Sequence, residues 1–394
     1  MFHKLPQLLL VLILVISCST EEKSMVTVDK IISDIQYQYA PDKRVAWFQV
    51  EAEKKGETYI LKGESNLPEA VDALHNNLSA KGISILDSIT PLPHESLNGL
   101  TQGVINVSVA NLRSNPKHSA ELATQATLGT MVNILKKEGE WYWIQTPDGY
   151  LAWVDYGGII PLPKKDLDLW KNAEKLIYTK TYGHSYQNKN NGDIVSDLVA
   201  GDILKIIEEH PDYFYVEYPD RRTAYIKKGE ADRYLLWLES LHPTENQLVA
   251  TAETLMGVPY LWGGTSTKGV DCSGFTKTVY FLNGMVIPRD ASQQVNAGIP
   301  LDSAGSFENL KKGDLLFFGK KATDSTKEKV VHVGMWIGNN KFIHSAGRVK
   351  ISSTEPGSDN YDEYNVNRYL RTKRYLDQPN TGFINLKKQT IFKD

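Results

Sequence analysis

Only two of the 394 residues are cysteine, Cys18 and Cys272. A scaffold stapled by several disulfides is therefore excluded, and the cysteines and histidines show no zinc-site spacing. Charge of neither sign dominates: 44 Lys and Arg face 47 Asp and Glu, for a net charge of -3. That leaves no basic footprint for nucleic acid, and no nucleic-acid partner is expected. The chain has no Gly-rich phosphate loop. No apolar run reaches the roughly 20 residues that a membrane-spanning helix needs. Nothing implies a metal or a cofactor. What is present is globular: 41% apolar and 23% charged residues, with 20 Tyr and 8 Trp. This aromatic load suits β-rich modules and binding surfaces. The length is too great for one ordinary domain and implies about two to four.

The N-terminus reads as a targeting segment. Lys4 supplies the charged start, and Leu8 to Ile16 is an unbroken apolar run, short for a membrane span and suited to a signal-peptide core. It ends in Val15-Ile16-Ser17-Cys18. A small residue before Cys at this point resembles the lipobox of bacterial lipoproteins. That resemblance implies a signal peptide over 1–18, acylation of Cys18, and an exported protein held on a membrane of the bacterial envelope. Each buried acyl methylene contributes about 0.8 kcal/mol, so several chains hold firmly. Residues 19–26 are polar and read as a tether. With Cys18 acylated no disulfide can form, and Cys272 becomes a lone free thiol in an exported protein. Reactivity is the usual reason for such a thiol.

From 27 to about 95 the pattern predicts helix, strand, strand, helix, strand, a small α/β domain. Val45 to Ala52 and Thr58 to Gly63 suit a hairpin around Lys54-Lys55-Gly56. Pro68 to Leu78 has helical spacing, and Ile83 to Ile89 returns as a strand. No residue there asks to be catalytic. The middle of the chain holds a repeat. Leu128-Gly129-Thr130-Met131-Val132 aligns with Ala200-Gly201-Asp202-Ile203-Leu204 at an offset of 72 residues. With the same offset and no gap, Trp141-Tyr142-Trp143-Ile144 matches Tyr213-Phe214-Tyr215-Val216, and Pro147-Asp148 matches Pro219-Asp220. Short alternating strands broken by Gly, Pro and Asp predict small β-barrels over 102–164 and 175–232. They resemble bacterial SH3-like domains. A connecting helix is expected over Arg233 to Leu241. The last domain is expected over 243–376, with a helix from Glu245 to Met256.

That last domain holds the chemistry. Pro259-Tyr260-Leu261-Trp262-Gly263-Gly264 leads to Val270-Asp271-Cys272-Ser273-Gly274-Phe275, after which the apolar spacing turns helical. Cys272 therefore opens a helix after a Gly-rich loop. Free backbone N–H groups and the helix dipole there favour thiolate and can donate to an oxyanion. A nucleophilic thiolate needs a base. Val330 to Gly338 and Lys341 to Ala346 predict a hairpin turning at Asn339-Asn340, and it carries His332 and His344. One can act as the base and the other orient it.

Asp-Cys-Ser-Gly-Phe, then His-Val-Gly-Met-Trp-Ile-Gly, then Phe-Ile-His-Ser resemble the NlpC-type cell-wall peptidases of the papain-like class. The resemblance covers roughly 245–375 and implies an α+β core in which a Cys helix packs on an antiparallel sheet. It implies a triad of Cys272, His332 and His344. The family cuts murein peptides, typically after γ-linked D-Glu. One branch joins paired SH3-like domains to this core and releases L-Ala-D-Glu from stem peptides whose L-Ala amine is free. Carried onto this chain, the branch implies that Tyr260 and Asp290 bind the dipeptide, with Asp271 and Ser273 beside the nucleophile also at the substrate. Asp290 would pair with the ammonium group; it is equally placed to cap a helix running through Val295. The branch often has Ser after this Asp, where Ala291 stands here, which puts that contact in doubt. Glu121 and Tyr156 are the candidates for walling off the pocket from the first SH3-like domain. Two other readings stay open: a general murein endopeptidase or amidase acting on intact peptidoglycan, and a non-catalytic wall-binding lipoprotein. The expected partners are a murein stem peptide and, through lipid, a membrane; a monomer is expected.

Overall fold

A computed structural model describes residues 27–189, 192–378, 382–389 and 391. The expected signal peptide and Cys18 lie outside these residues. Two compact units divide the chain, Met1–Asn98 and Gly99–Asp394. No helix of the described residues is long and apolar enough to cross a membrane.

In the first unit, a helix over residues 27–39 buries Val28, Ile31, Ile32 and Ile35. These lie one or two turns apart on one face, the stripe that seats a helix on a core. Strands Phe48–Lys55 and Thr58–Ser65 pair antiparallel around Gly56. The first strand starts at Phe48 rather than Val45 because a turn at Asp42 holds the chain: its carboxylate accepts from the Arg44 N–H at 3.0 Å and its carbonyl from the Ala46 N–H at 3.1 Å. Helix Pro68–Ser79 buries Ala70, Leu74 and Leu78. It returns the chain to strand Ser84–Pro91, which pairs parallel with Thr58–Ser65, a pairing that requires a crossover connection.

In the second unit, the two repeat copies are seven-stranded antiparallel sheets spanning Gln102 to Pro161 and Lys175 to Arg233. These are the expected SH3-like modules, and no pairing among the described residues closes either sheet into a ring. In the first copy the edge strand Leu122–Thr127 is met instead by the C-terminal domain. The Gln125 N–H donates to Thr265 Oγ1 at 3.2 Å, Thr265 Oγ1 donates to the Gln125 carbonyl at 3.0 Å, and the Thr265 N–H donates to Gln125 Oε1 at 2.9 Å. The two copies clasp each other through Asp202, fully buried, whose carboxylate accepts from the Leu128 N–H at 3.2 Å and the Val199 N–H at 2.8 Å.

The connecting helix is Tyr234–Ser240, and the helix expected to Met256 stops at Glu253. The C-terminal domain then packs helix Cys272–Phe281 on a six-stranded antiparallel sheet. Phe275 and Val279 face Leu315, Phe317, Val333, Met335, Ile343 and Val349 in one core. From the middle of this sheet outward run Leu315–Lys320, Lys329–Gly338, Lys341–Ala346 and Arg348–Ser353. The hairpin turns at Asn339 and Asn340, both with positive φ (52° and 55°), as a two-residue turn of the primed type requires.

Candidate active site

The ladder between the His332 strand and the His344 strand runs only from Gly338↔Lys341 to Met335↔Ile343. Toward His332 and His344 the two strands no longer pair. The Cys272 helix points its start into this opening. The backbone N–H groups of Val333 and Ser273 lie near enough to the thiol to favour its ionised form. Val333 follows His332 in the chain, so the thiol and the two histidines share one end of the split hairpin.

Local sequence explains how the helix start is held. Asp271 is the N-cap, with Oδ1 accepting from the Gly274 N–H at 2.7 Å. Its Oδ2 accepts from the Gly263 N–H at 3.0 Å, which folds the Gly-rich loop back onto the helix. Gly274 is required there: a Cβ would stand 1.9 Å from the Gly264 carbonyl oxygen. Arg289, with a side chain 1% exposed, closes the arrangement. Its guanidinium donates to both Asp271 oxygens at 3.1 and 2.6 Å, to Ser273 Oγ at 3.0 Å, and through Nε to Thr124 Oγ1 of the first SH3-like domain at 2.9 Å. Bidentate pairing of this kind fixes geometry as well as charge. Asp271 and Ser273 were expected to meet substrate. Their side-chain oxygens are instead spent inside this buried network, because a helix start and an enclosed guanidinium both demand acceptors.

The electrostatics correct a second expectation. Burial, reinforced by the negative charge of Asp271, pushes the Cys272 thiol up to about 12; the Val333 N–H, Arg289 and the Ser273 N–H pull it back only in part. The helix start favours thiolate as expected, but desolvation outweighs it. His332 is held well below its ordinary range by burial, then by His344, Arg368 and Lys350. His344 is lowered to about 4 by burial, against the pull of Asp362. Burial thus favours the neutral thiol and the neutral imidazoles. His332 Nε2 lies 2.8 Å from His344 Nδ1, and His344 Nε2 lies 3.0 Å from Ser352 Oγ. His332 thus commits Nε2 to His344, and Nδ1 is the ring nitrogen left outside that bond. Such an arrangement can take a proton from sulfur as the sulfur attacks and return it to a leaving amine.

The remaining expected residues fall into two groups. Tyr260 bridges Val270, two residues before the nucleophile, and after burial Cys272 and Asp271 are what raise its phenol above the ordinary range. Asp290 is the N-cap of the short helix Ala291–Gln294 in a capping box with Gln293, so its capping role is real. It also accepts, at Oδ2, from the Tyr150 hydroxyl of the first SH3-like domain at 3.1 Å. Glu121 reaches the C-terminal domain, where Oε1 accepts from Trp262 Nε1 at 2.6 Å. Tyr156 is 62% exposed, and its hydroxyl makes no hydrogen bond to a described residue. Tyr150, buried at 6% exposure, stands where Tyr156 was expected. The reason is local: Tyr156 opens a single helical turn capped by Asp155 and pointing to solvent, whereas Tyr150 follows the Pro147-Asp148-Gly149 turn that Lys277 anchors through its 2.8 Å ion pair to Asp148. Sequence reasoning missed Tyr150, Arg289 and Trp262. The repeat offered only a weak signal: Gly149-Tyr150-Leu151 aligns with Arg221-Arg222-Thr223, three successive departures between matched residues.

A thiol at a helix start, an imidazole on the adjoining strand and a second imidazole behind it, on a helix-and-antiparallel-sheet core, define a papain-like cysteine peptidase. The comparisons agree: the NlpC/P60 family matches residues 257–372, and the bacterial dipeptidyl-peptidase SH3 domain matches residues 112–157. The gamma-D-glutamyl-L-lysine dipeptidyl-peptidase of Bacillus cereus is 32% identical over 270 residues, covering 65% of this chain and 76% of that protein. The Bacillus subtilis protein of the same name is 30% identical over 237 residues, covering 57% and 72%. The crystal structure of an NlpC/P60 family protein from Bacillus cereus superposes with a TM-score of 0.58 at 26% identity, covering 70% of this chain and 99% of that one. The chain belongs to the NlpC/P60 family of cysteine peptidases and carries that family's dipeptidyl-peptidase SH3 domain.

Proposed function

We propose that the protein hydrolyses the amide between γ-D-Glu and the following diamino acid of murein stem peptides, releasing L-Ala-D-Glu from peptides whose L-Ala amine is free. Cys272 attacks the γ-carbonyl as His332 Nδ1 takes the thiol proton. The oxyanion forms beside the backbone N–H groups of the helix start. His332 then protonates the leaving amine, and water hydrolyses the thioester. His344 holds the His332 ring. The names of the Bacillus relatives support this substrate class.

The observation that carries the free-amine requirement is the contact of Tyr150 with Asp290. A papain-like groove is open at both ends. Here a hydroxyl from the SH3-like domain reaches a carboxylate of the peptidase domain. Glu121 crosses the same boundary to Trp262, and Gly263 lies so close to the Leu122 carbonyl that a Cβ would stand 2.1 Å from its oxygen. A groove closed by acidic residues suits an ammonium group. Against a capped substrate the charge-assisted bond from the ammonium to these carboxylates is forgone, which costs about 3 kcal/mol, more than 100-fold in rate. Initial rates on L-Ala-γ-D-Glu-L-Lys and on its N-acetyl form test this. A large preference for the free amine, weakened by Asp290→Asn, is expected; equal rates would make the protein a general murein endopeptidase.

Cys18 is proposed to carry the lipid anchor. Cys18→Ser is expected to move the protein from the membrane to the soluble fraction. A native protein found soluble would remove the anchor from this reading.

A further inference from the structure

His344 has two neutral tautomers, and they are not equivalent for catalysis. With the proton on Nε2, its Nδ1 accepts from His332 Nε2–H, and His332 is left with a bare Nδ1 for the thiol. With the proton on Nδ1, His344 donates to His332 Nε2. His332 then carries its own proton on Nδ1 and cannot take another from sulfur. The choice is made behind His344. Ser352 Oγ, 3.0 Å from Nε2, either donates or accepts and decides nothing alone. The Asp362 Oδ2 lies 3.7 Å from the same nitrogen. A carboxylate only accepts, so it favours N–H at Nε2 and disfavours the other tautomer.

The carboxylate is itself held in place. Its Oδ1 accepts from the Asn365 N–H at 3.1 Å and its Oδ2 from Asn365 Nδ2 at 2.7 Å. Arg368 fixes that amide the right way round by donating to Asn365 Oδ1 at 3.0 and 2.7 Å. The Asp362 backbone N–H donates to the Ser353 carbonyl at 3.0 Å, tying the segment to the edge strand. The charged groups acting on His344 are Asp362, Lys350 and Arg368, with neutral His332 in front; of these only Asp362 favours a proton on the ring. A cleft of about 540 Å³, with Lys350, Ser352, Tyr361 and Asp362 in its walls, opens on this back side.

We infer that Asp362 is a positioning residue of the active site: together with Ser352 it locks His344 in the Nε2–H tautomer, and so leaves His332 able to deprotonate Cys272. The inference rests on the assignment of Cys272 and His332 as nucleophile and base.

The test uses the full chain and two readouts, turnover of L-Ala-γ-D-Glu-L-Lys and alkylation of Cys272 by iodoacetamide, followed by mass spectrometry of its peptide. A triad acid that touches the base directly is worth about 10,000-fold through the same tautomer effect. One ring further back, Asp362→Ala is expected to lower kcat roughly 10- to 100-fold, with KM little changed. Alkylation at neutral pH should slow in step, and its pH profile should move to higher pH. Formate, entering from the cleft into the space left by the carboxylate, should restore both rates. Asp362→Asn keeps the volume and covers the case in which the Ala variant fails to fold; it should show the same loss without rescue. An alkylation rate and pH profile untouched by either variant would overturn the inference, as would a loss confined to KM. Turnover that survives complete alkylation of Cys272 would instead remove the nucleophile assignment, so the two failures are distinguishable.

Discussion

Replacing Asp271 by Asn separates two tasks that one side chain performs. Asn caps a helix about as well as Asp, so the bond to the Gly274 N–H survives and contributes little to the difference. What is lost is the anion facing Arg289. That guanidinium is 1% exposed and sits 2.6 and 3.1 Å from the two carboxylate oxygens. Breaking a buried pair by removing one partner costs about 3–5 kcal/mol, because the remaining charge stays desolvated. Asp290, with Oδ1 at 3.8 Å from Nη1, offsets part of this. A net loss of about 3 kcal/mol is expected. With a urea slope of about 3 kcal/mol/M, the midpoint falls by roughly 1 M. Tryptophan fluorescence reports on the right unit, since Trp47 is the one tryptophan outside residues 99–394. The double variant Asp271→Asn, Arg289→Met removes both charges and should regain at least half of the loss, even with the Thr124 bond gone. A midpoint shift below about 0.2 M in the single variant, or no recovery in the double, would refute the view that this pair carries the nucleophile loop.

Cys272→Ala should abolish turnover and leave the fold intact, His332→Ala should do nearly the same, and His344→Ala should leave some activity, since it acts through His332; near-normal turnover by Cys272→Ala on murein peptides would end the assignment. Gly274→Ala places a Cβ 1.9 Å from the Gly264 carbonyl oxygen. It should cost about 1–3 kcal/mol and most of the activity by displacing the loop from the helix start, and wild-type kinetics in this variant would refute the close fit. Stability should fall with acid: a histidine whose folded pKa is depressed contributes stability that is complete above 6.5 and is lost as pH drops toward about 4. At about 1.4 kcal/mol per pH unit, fully buried His344 alone accounts for roughly 3 kcal/mol, with His332 adding in the same direction, and a urea midpoint that stays flat between those pH values would contradict two neutral buried rings.

What the sequence determined by itself is what chain-local chemistry encodes. Apolar spacing and turn residues marked the strand and helix order of the first unit. The ungapped offset of 72 marked two copies of one β module. The step from a Gly-rich loop to helical spacing put Cys272 at a helix start, and Asn339-Asn340 put two histidines on one hairpin. Each of these depends on residues within a few positions of one another, where φ, ψ and side-chain period are set locally. The tertiary structure decided the rest. Tyr150 meets Asp290, Glu121 meets Trp262 and Thr124 meets Arg289 across more than a hundred residues of chain. No local pattern announces which surface loop will face which. Asp271 looked like a substrate ligand because it adjoins the nucleophile; only the fold shows that a buried guanidinium and a helix start consume its oxygens. The protonation of the site was likewise not legible in the sequence. Helix position argued for thiolate, but the free energy of an ion depends on how much water it has lost. That loss is fixed by the packing of Cys272 among Val333, Met335 and Ile343, residues brought to it from elsewhere in the chain.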